Sequence, residues 1–369
     1  MRCAMQVARR LRSRSGMRAR MLAAAVVISG AVLAAAPIAA TVAAAAAPEP
    51  AAVTPELVAA AKQEGKVVFY TSIELQTAEK IGEAFEKAYP GIEVQVERSG
   101  AERIFQRLAQ ERGSGIHAAD VVEASDMTAL VLWKREGWLA PFVPSDVAKW
   151  PADQRDPDGC FATERFTLSP IGYNTRLVKP EEAPKSFADL LDPKWDNKIV
   201  KAHPGYSGTI MTVTFEVSRD LGWEFFQKLA KQHVMQVQSG ADPPKRVAQG
   251  ERPVMADGGE YTLMQIAAGG APLAPIYPSE GTPLIPGGAG LMKDAPHPNA
   301  SRLFVSFLFS RDGQQLLADM ARIRSFHPDV KLPQGMTPLS EIKTMKPDTE
   351  AQLKEVDTIK QKYAEYFGL

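Results

Sequence analysis

Residues 66–101 read KVVFYTSIELQTAEKIGEAFEKAYPGIEVQVERSGA, and they contain the pattern from which the architecture follows. Residues 66–70 form a short apolar run rich in β-branched and aromatic side chains, which predicts a buried strand. Residues 76–88 place Ile81, Phe85 and other apolar side chains on one helical face, and Pro90-Gly91 ends that helix. Residues 92–96 alternate as a second strand does.

The pattern then repeats. Ser99-Gly100-Ala101-Glu102 has the form of a capping box and predicts a helix that continues to about Glu111. Residues 120–122 predict a third strand. Strands that begin near 66, 92 and 120, with one helix between each pair, indicate a βαβαβ unit with a parallel sheet.

A second α/β block follows this unit. Residues 166–174 and 273–277 are predicted to be extended, and residues 253–257 to form a strand that feeds Gly258-Gly259 and a helix from Glu260. Further helices are predicted over 209–220, 222–232, 299–309, 311–321 and 350–369. Two blocks joined by extended crossings at about 164–174 and 272–284 predict two lobes with a cleft, where ligands bind beside helix N-termini.

The N-terminus has the pattern of an export signal. Seven arginines and no acid occur in residues 1–20, and residues 21–48 carry no charge and are rich in alanine. We interpret residues 1–47 as a signal peptide that is cleaved to release the mature chain near residues 46–50 into the periplasm. A membrane anchor is the alternative, and a start at Met17 or Met21 and the export route stay open.

Loss of the signal peptide changes the charge and the cysteine count. The 43 basic residues would fall to 36 against 43 acidic ones, which argues against a nucleic-acid partner. Cys3 leaves with the signal, so Cys160 has no partner for an internal disulfide. The sequence near Cys160 contains no residue that looks like a base, so Cys160 is not predicted to be a nucleophile.

Signatures of enzymes are missing from the sequence. The five histidines lack metal-binding spacing, and neither a phosphate-binding loop nor a dinucleotide fingerprint is present. Gly205-Tyr206-Ser207-Gly208-Thr209 comes close to the nucleophile elbow of hydrolases, but Thr209 replaces the final glycine. An exported serine hydrolase with Ser207 as nucleophile is therefore a remote alternative to a binding protein without catalytic residues.

Small hydroxyl residues and glycines mark three predicted strand-to-helix turns. Backbone N–H groups and the helix dipole at such turns favour an oxyanion, although serine and threonine also cap helices. Gly208 would let a ligand approach the backbone. The predicted ligand-binding or anion-binding residues are Ser72, Ser99, Gly100, Tyr206, Ser207, Gly208 and Thr209.

Acidic and phenolic side chains also occur at predicted strand ends. Glu74 follows the first strand, Asp126 follows the third, and Glu260-Tyr261 follow Gly258-Gly259. Single carboxylates at such places usually cap a helix or face water. If these four side chains converge in one cleft, they would suit a hard cation or an ammonium group.

The chain resembles the periplasmic binding proteins of ABC transporters, in particular the ferric-ion-binding branch of the extracellular solute-binding family. The resemblance covers nearly all of residues 64–325 and implies a two-lobed α/β fold of type II without catalytic activity. The segments that carry it are VVFYTS (67–72), AADVVEASD (118–126), IGYNTRLV (171–178), SFADLLDPKWDNKIV (186–200), PGYSGT (204–209), GERPV with GGEY (250–261) and PGGAGLMKDAPHPNASRLFVSFLFS (286–310).

What the resemblance implies about the ligand is less uniform. Iron-binding members use two adjacent tyrosines where this chain has Glu260-Tyr261, and they often have a histidine near the position of Glu74 and a glutamate near that of Asp126. Their anion-binding Ser-Gly turn matches Ser207-Gly208-Thr209. The resemblance thus implies ferric iron (Fe3+) with a synergistic anion as the transported ligand, with an organic anion, a phosphonate or an amine as alternatives.

The resemblance also implies a division of the chain and a partner. We expect lobe one over residues 55–163 and 285–325, lobe two over 164–284, and a C-terminal helical appendage over 326–369. The partner would be an ABC transporter permease of the inner membrane, and the receptor is expected to be a monomer that closes on its ligand by a hinge motion.

Overall fold

The computed structural model describes residues 47–368, so the predicted signal peptide lies outside the described residues except for Ala47. Two β-sheets, each flanked by helices, form two lobes. Within residues 47–368, no helix combines the length and the apolar character that a membrane span requires.

The first part of the chain builds most of lobe one. Its elements are α1 (Pro55–Glu64), β1 (Lys66–Thr71), α2 (Leu75–Ala88), β2 (Glu93–Arg98), α3 (Ala101–Gly113), β3 (Val121–Ala124), α4 (Met127–Arg135), β4 (Leu139–Ala140) and β5 (Phe161–Leu168). Strand β1 pairs in parallel with β2 on one side and with β3 on the other, which confirms the predicted βαβαβ unit.

The middle of the chain builds lobe two. Its elements are β6 (Ile171–Asn174), β7 (Ile199–Ala202), α5 (Gly208–Leu221), α6 (Trp223–Ala230), β8 (Met235–Val237), α7 (Asp242–Ala248), β9 (Val254–Met255), α8 (Glu260–Ala268) and β10 (Leu273–Ile276). These strands form a five-stranded sheet in the order β10-β6-β9-β7-β8. Before β7 the chain forms two 3-10 helices, Ala188–Leu191 and Pro193–Trp195.

The chain then returns to lobe one. The last elements are β11 (Leu284–Met292), α9 (Pro298–Phe309), α10 (Arg311–Ala321) and α11 (Thr349–Phe367). Strand β11 joins the lobe-one sheet between β3 and β4 and also pairs with β5 in antiparallel register, with Leu284 opposite Leu168. The two chain segments that connect the lobes therefore run side by side.

Each lobe has its own apolar core. In lobe one, the buried rings of Phe69 and Phe85 each lie 5.1 Å from the ring of Phe304, in edge-to-face geometry. In lobe two, Phe225 packs edge-to-face against Phe187. Each lobe is therefore held together by aromatic packing of its own.

Helix α11 contacts both lobes. The Nε2 atom of Gln352 donates a hydrogen bond to Oδ1 of Asp126 in lobe one, at 3.1 Å. Near the other end of the helix, the hydroxyl of Tyr363 donates to Gln236 in lobe two at 2.6 Å and accepts from the buried Nζ of Lys201 at 2.8 Å. The C-terminal segment is thus anchored on each side of the interlobe gap.

Candidate functional site

A polar cavity of about 370 Å³ lies between the lobes. Lobe one contributes residues that follow β1, β2 and β3, and lobe two contributes residues that follow β7, β8 and β9. Both sheets therefore present the carboxyl ends of their strands and the starts of the next helices to one space, as expected for open α/β sheets.

Seven of the eleven residues predicted from the sequence line this cavity. They are Ser72, Glu74, Gly100, Tyr206, Ser207, Thr209 and Tyr261. The other four, Ser99, Asp126, Gly208 and Glu260, do not line it.

Two helices begin at the cavity without a side-chain cap. Helix α3 follows Gly100 and α8 follows Gly259, and neither glycine can cap the first N–H groups. The predicted capping box at Ser99 is wrong, because the chain stays extended through Gly100 and the helix starts one residue later. One helix end from each lobe therefore offers backbone donors and the positive end of its dipole to a bound anion.

Three cationic side chains surround these helix ends. Arg98 and Arg103 come from lobe one and Lys245 from lobe two. The Nη2 atom of Arg103 donates to Oε1 of Gln238 in lobe two at 3.0 Å, so this arginine reaches across the cleft. These cations were not among the residues predicted from the sequence, although Arg98 lies in the same turn as Gly100.

Two carboxylates also line the cavity. Glu74 is the N-cap of α2 and accepts from the backbone N–H of Gln76 at 2.9 Å, so its position is fixed by the helix. Asp242 is the first residue of α7. The cavity wall thus combines a cationic majority with two acidic groups.

Ser207 is the N-cap of α5, and its Oγ accepts from the backbone N–H of Ile210 at 3.4 Å. Its hydroxyl proton is not used by that bond and can be donated to a ligand. Thr209 follows in the first turn of the same helix and also lines the cavity. The Ser207 turn thus offers hydroxyl donors to the lobe-two side of the cavity.

Ser72 has a different role from the one predicted. Its hydroxyl donates to the buried carboxylate of Glu123 at 3.0 Å and accepts from the backbone N–H of Ser125 at 2.9 Å. A hydroxyl has one proton, and Glu123 takes it. Ser72 therefore lines the cavity without a proton to offer an anion.

Glu123 in turn holds an arginine of the cavity wall. The Nη2 atom of Arg165 donates to Oε1 of Glu123 at 2.6 Å, and both side chains are almost fully buried. Glu123 lies inside β3 and Arg165 inside β5. The pattern of apolar and polar residues in these strands does not show that the two side chains meet at the wall of a cavity. Neither residue was predicted from the sequence.

Gly208 contacts the opposite lobe rather than the cavity. A Cβ atom at this position would lie 2.7 Å from the Cβ of Asp126 and 3.0 Å from the Cβ of Ala101. Similarly, a Cβ at Gly100 would lie 2.7 Å from the carbonyl oxygen of Tyr206. The prediction that Gly208 lets a ligand approach the backbone is corrected. The absence of a side chain at Gly208 instead lets lobe one pack closely against this position.

Glu260 is turned into the protein. Its carboxylate accepts two hydrogen bonds from Arg324, at 2.7 and 2.9 Å, and one from the hydroxyl of Tyr277 at 2.6 Å. It is 1 % exposed. A carboxylate with these partners is not presented to the cleft, in contrast to its neighbour Tyr261.

Asp126 lines a second cavity, of about 310 Å³, beneath α11. It is the N-cap of α4 and accepts from the backbone and side chain of Thr128, while burial raises its pKa to about 6. The structure therefore brings Glu74 and Tyr261 to the ligand cavity but leaves Asp126 and Glu260 elsewhere. Among residues 47–368, no cluster of three or more His, Cys, Asp or Glu side chains is arranged to hold a metal ion.

Comparisons with known proteins agree on the architecture. A family model described as bacterial extracellular solute-binding protein matches residues 71–315. A putative 2-aminoethylphosphonate-binding periplasmic protein of Salmonella typhimurium is 27 % identical over 253 residues, which cover 65 % of this chain and 71 % of the relative.

Solved structures show the same fold. The periplasmic binding protein AfuA from Actinobacillus pleuropneumoniae, solved with exogenous fructose-6-phosphate bound, superposes with a TM-score of 0.76 and 23 % identity, over 83 % of this chain and 99 % of that one. Iron-bound HitA from Pseudomonas aeruginosa gives a TM-score of 0.71 and 21 % identity, over 82 % and 99 % of the two chains. At these identities the likeness establishes the two-lobed fold alone.

Proposed function

The chain belongs to the family of bacterial extracellular solute-binding proteins, and from this premise we propose that it is a periplasmic receptor for a small organic anion with a phosphate or phosphonate group. Proteins of this family are the periplasmic solute-binding components of ABC transporters. The ligand is bound in the interlobe cavity and passed to an inner-membrane permease after the lobes close around it.

One observation carries the choice of ligand. The uncapped starts of α3 and α8 face the cavity from opposite lobes, with Arg98, Arg103 and Lys245 around them. A tetrahedral oxyanion can accept hydrogen bonds from both helix ends and from the cations at the same time. Such a ligand would draw the lobes together, because each lobe supplies part of its binding site.

The energetics favour an anion as well. Each hydrogen bond to a charged group is worth about 1.5–3 kcal/mol, so every donor that the anion engages should tighten its binding by about tenfold or more. The structure with fructose-6-phosphate and the relative named for 2-aminoethylphosphonate support a ligand of this class.

Ferric iron with a synergistic anion is the second candidate. Tyr261 and Glu74 line the cavity and are hard oxygen ligands, and the neighbour HitA was solved with iron bound. Two protein ligands are fewer than such a site needs, since Glu260 is bonded to Arg324 and Asp126 lies in the second cavity. Iron would therefore require additional oxygens from the anion.

A thermal-stability assay separates the two ligand classes. The mature protein would be heated with organic phosphates, phosphonates, carboxylic acids, polyamines and ferric citrate in turn. A ligand at 100 times its dissociation constant stabilises the fold by about 2.7 kcal/mol. We expect stabilisation by a phosphate or phosphonate and none by ferric citrate. A visible absorption band with ferric citrate that disappears in Tyr261→Phe would instead establish iron.

Export and assembly form part of the same proposal. We propose that residues 1–47 are removed as a signal peptide, that the mature receptor is a periplasmic monomer, and that it has no nucleic-acid partner. N-terminal sequencing of the protein from the periplasm should find a start near residues 46–50. Retention of residues 21–45 on membrane-bound protein would contradict this. Labelling of Ser207 by a fluorophosphonate would favour the remote hydrolase alternative.

A further inference from the structure

A buried ion pair forms the lobe-one floor of the ligand cavity. Glu123 of β3 and Arg165 of β5 are 0 % and 2 % exposed, and Nη2 of the arginine lies 2.6 Å from Oε1 of the glutamate. Arg165 reaches the cavity wall, whereas Glu123 lies behind it and does not line the cavity. Any effect of Glu123 on a ligand must therefore act through Arg165.

Four donors hold Glu123 in place. Besides Arg165, its carboxylate accepts from the hydroxyl of Thr71 at 2.8 Å, from the backbone N–H of Ser72 at 2.8 Å and from the hydroxyl of Ser72 at 3.0 Å. All four partners are donors, as the oxygens of a carboxylate require. A fixed negative charge thus lies directly behind the guanidinium.

A second buried carboxyl lies on the other side of the arginine. Oε2 of Glu164 is 3.5 Å from Nε of Arg165, and neither of its oxygens has a hydrogen-bond partner among the described residues. Burial raises the pKa of Glu164, which favours the neutral form of this carboxyl. The hydrogen-bonded carboxylate partner of Arg165 is therefore Glu123.

The cationic side chains of the cavity therefore differ in whether a buried carboxylate balances their charge. Arg165 presents N–H donors backed by an equal negative charge, whereas Arg103 and Lys245 are not held by a buried carboxylate and lie near the uncapped helix ends. We propose that Glu123 is the residue that sets ligand charge: by neutralising Arg165 it makes the cavity prefer ligands with one anionic group over ligands with two. This inference rests on the proposed function and narrows its substrate class.

Matched pairs of probes test the proposal by calorimetry. Fructose 6-phosphate is compared with fructose 1,6-bisphosphate, and 2-hydroxyethylphosphonate with phosphonoacetate, so that each pair differs by one anionic group. We expect the wild type to prefer the singly substituted member of a pair. In Glu123→Gln the freed charge of Arg165 should improve the relative affinity of the second member by about tenfold. Glu224→Gln removes the same charge from an exposed ion pair in lobe two and should leave the ratio unchanged.

The outcomes separate this inference from the proposed function. A purely structural role of Glu123 would weaken both members of a pair equally, and an unchanged affinity ratio in Glu123→Gln overturns the inference alone. A wild type that prefers the bisphosphate or phosphonoacetate also overturns it. If the wild type binds no phosphate or phosphonate, the proposed function fails and the inference fails with it.

A double variant keeps the test valid if Glu123→Gln does not fold. Glu123→Gln combined with Arg165→Met replaces the ion pair by neutral side chains of similar volume, a change that proteins often tolerate. We expect the wild-type affinity ratio and at most a tenfold loss for the singly charged probe, since the double variant removes hydrogen-bond donors but no net charge. A loss of more than a hundredfold would show that Arg165 binds the anion itself and would overturn the inference.

Discussion

Gly208 of lobe two lies so close to Asp126 of lobe one that a Cβ on the glycine would be 2.7 Å from the Cβ of the aspartate. Gly100 makes the reciprocal contact from lobe one, against the carbonyl oxygen of Tyr206. Both glycines lie at helix starts beside the ligand cavity. The two lobes can therefore approach each other at the cavity only because these positions lack side chains.

Replacement of Gly208 by alanine should hold the lobes apart. Carbon atoms pack at about 3.5–4.0 Å, so the lobes would have to separate by about 1 Å at this contact. We expect ligand affinity to fall by about tenfold or more, since a ligand held from both lobes is sensitive to such displacements. Gly113→Ala, where an added Cβ meets nothing within 4 Å, is the control. Calorimetry that finds the same ligand affinity for Gly208→Ala as for the wild type would contradict the view that this contact limits how closely the lobes approach.

The cations of the cavity should determine both affinity and its dependence on salt. We expect Arg103→Gln with Lys245→Gln to weaken binding of an organic phosphate by about a hundredfold, because two charge-assisted bonds are lost. The remaining affinity should also respond less to added salt. Lys228→Gln with Arg311→Gln removes the same charge from exposed ion pairs and should change neither. Equal losses in both double variants would mean that net charge alone is responsible.

Glu260 should contribute to stability rather than to ligand binding. Its carboxylate is buried and bonded to Arg324, so Glu260→Gln leaves a buried guanidinium without a counter-charge. We expect the free energy of unfolding in denaturant to fall by about 3 kcal/mol, while the folded variant binds its anion as before. Loss of ferric citrate binding at unchanged stability would instead identify Glu260 as a metal ligand.

Glu216 should make the protein less stable as the pH rises. Burial raises its pKa to about 8 from a usual value of 4.5, and among the described residues only Oε2 has a donor, the backbone N–H of Leu284. Between these values the folded state binds more protons than the unfolded state, so this group lowers the free energy of unfolding by about 1.4 kcal/mol per pH unit.

Glu216→Gln should remove this contribution. The amide oxygen can still accept from Leu284, and no proton is exchanged on unfolding. We expect the variant to gain stability relative to the wild type as the pH rises from 5 to 8, measured by denaturant unfolding at each pH. A difference between the two proteins that is constant across this range would show that Glu216 is charged in the fold at neutral pH.

The fold was largely predictable because it is encoded locally. The apolar run at residues 66–70 and the helical face of residues 76–88 each identify their element without reference to the rest of the chain. The helix starts at Gly100 and Ser207 were also predicted as ligand-binding turns. The backbone part of the candidate site therefore follows from strand-to-helix turns.

The side-chain part of the site was less predictable because it depends on distant partners. Glu260 is removed from the cleft by Arg324, which lies 64 positions away in the sequence. The role of Gly208 depends on its contact with Asp126 of the other lobe, and the charge of Arg165 is balanced by Glu123. No local pattern reports such contacts, since they form only when the lobes and the returning segment come together.

We propose that the interlobe cavity binds an organic phosphate or phosphonate through the helix ends of α3 and α8 and the cations beside them. Phosphorus NMR on a mixture that includes fructose 6-phosphate and 2-aminoethylphosphonate tests it directly, with the mature wild type and with the Arg103→Gln, Lys245→Gln variant. We predict that at least one resonance broadens or shifts with the wild type and returns to its free position with the variant. Resonances that are unchanged by the wild-type protein, or changed equally by both proteins, would contradict the claim.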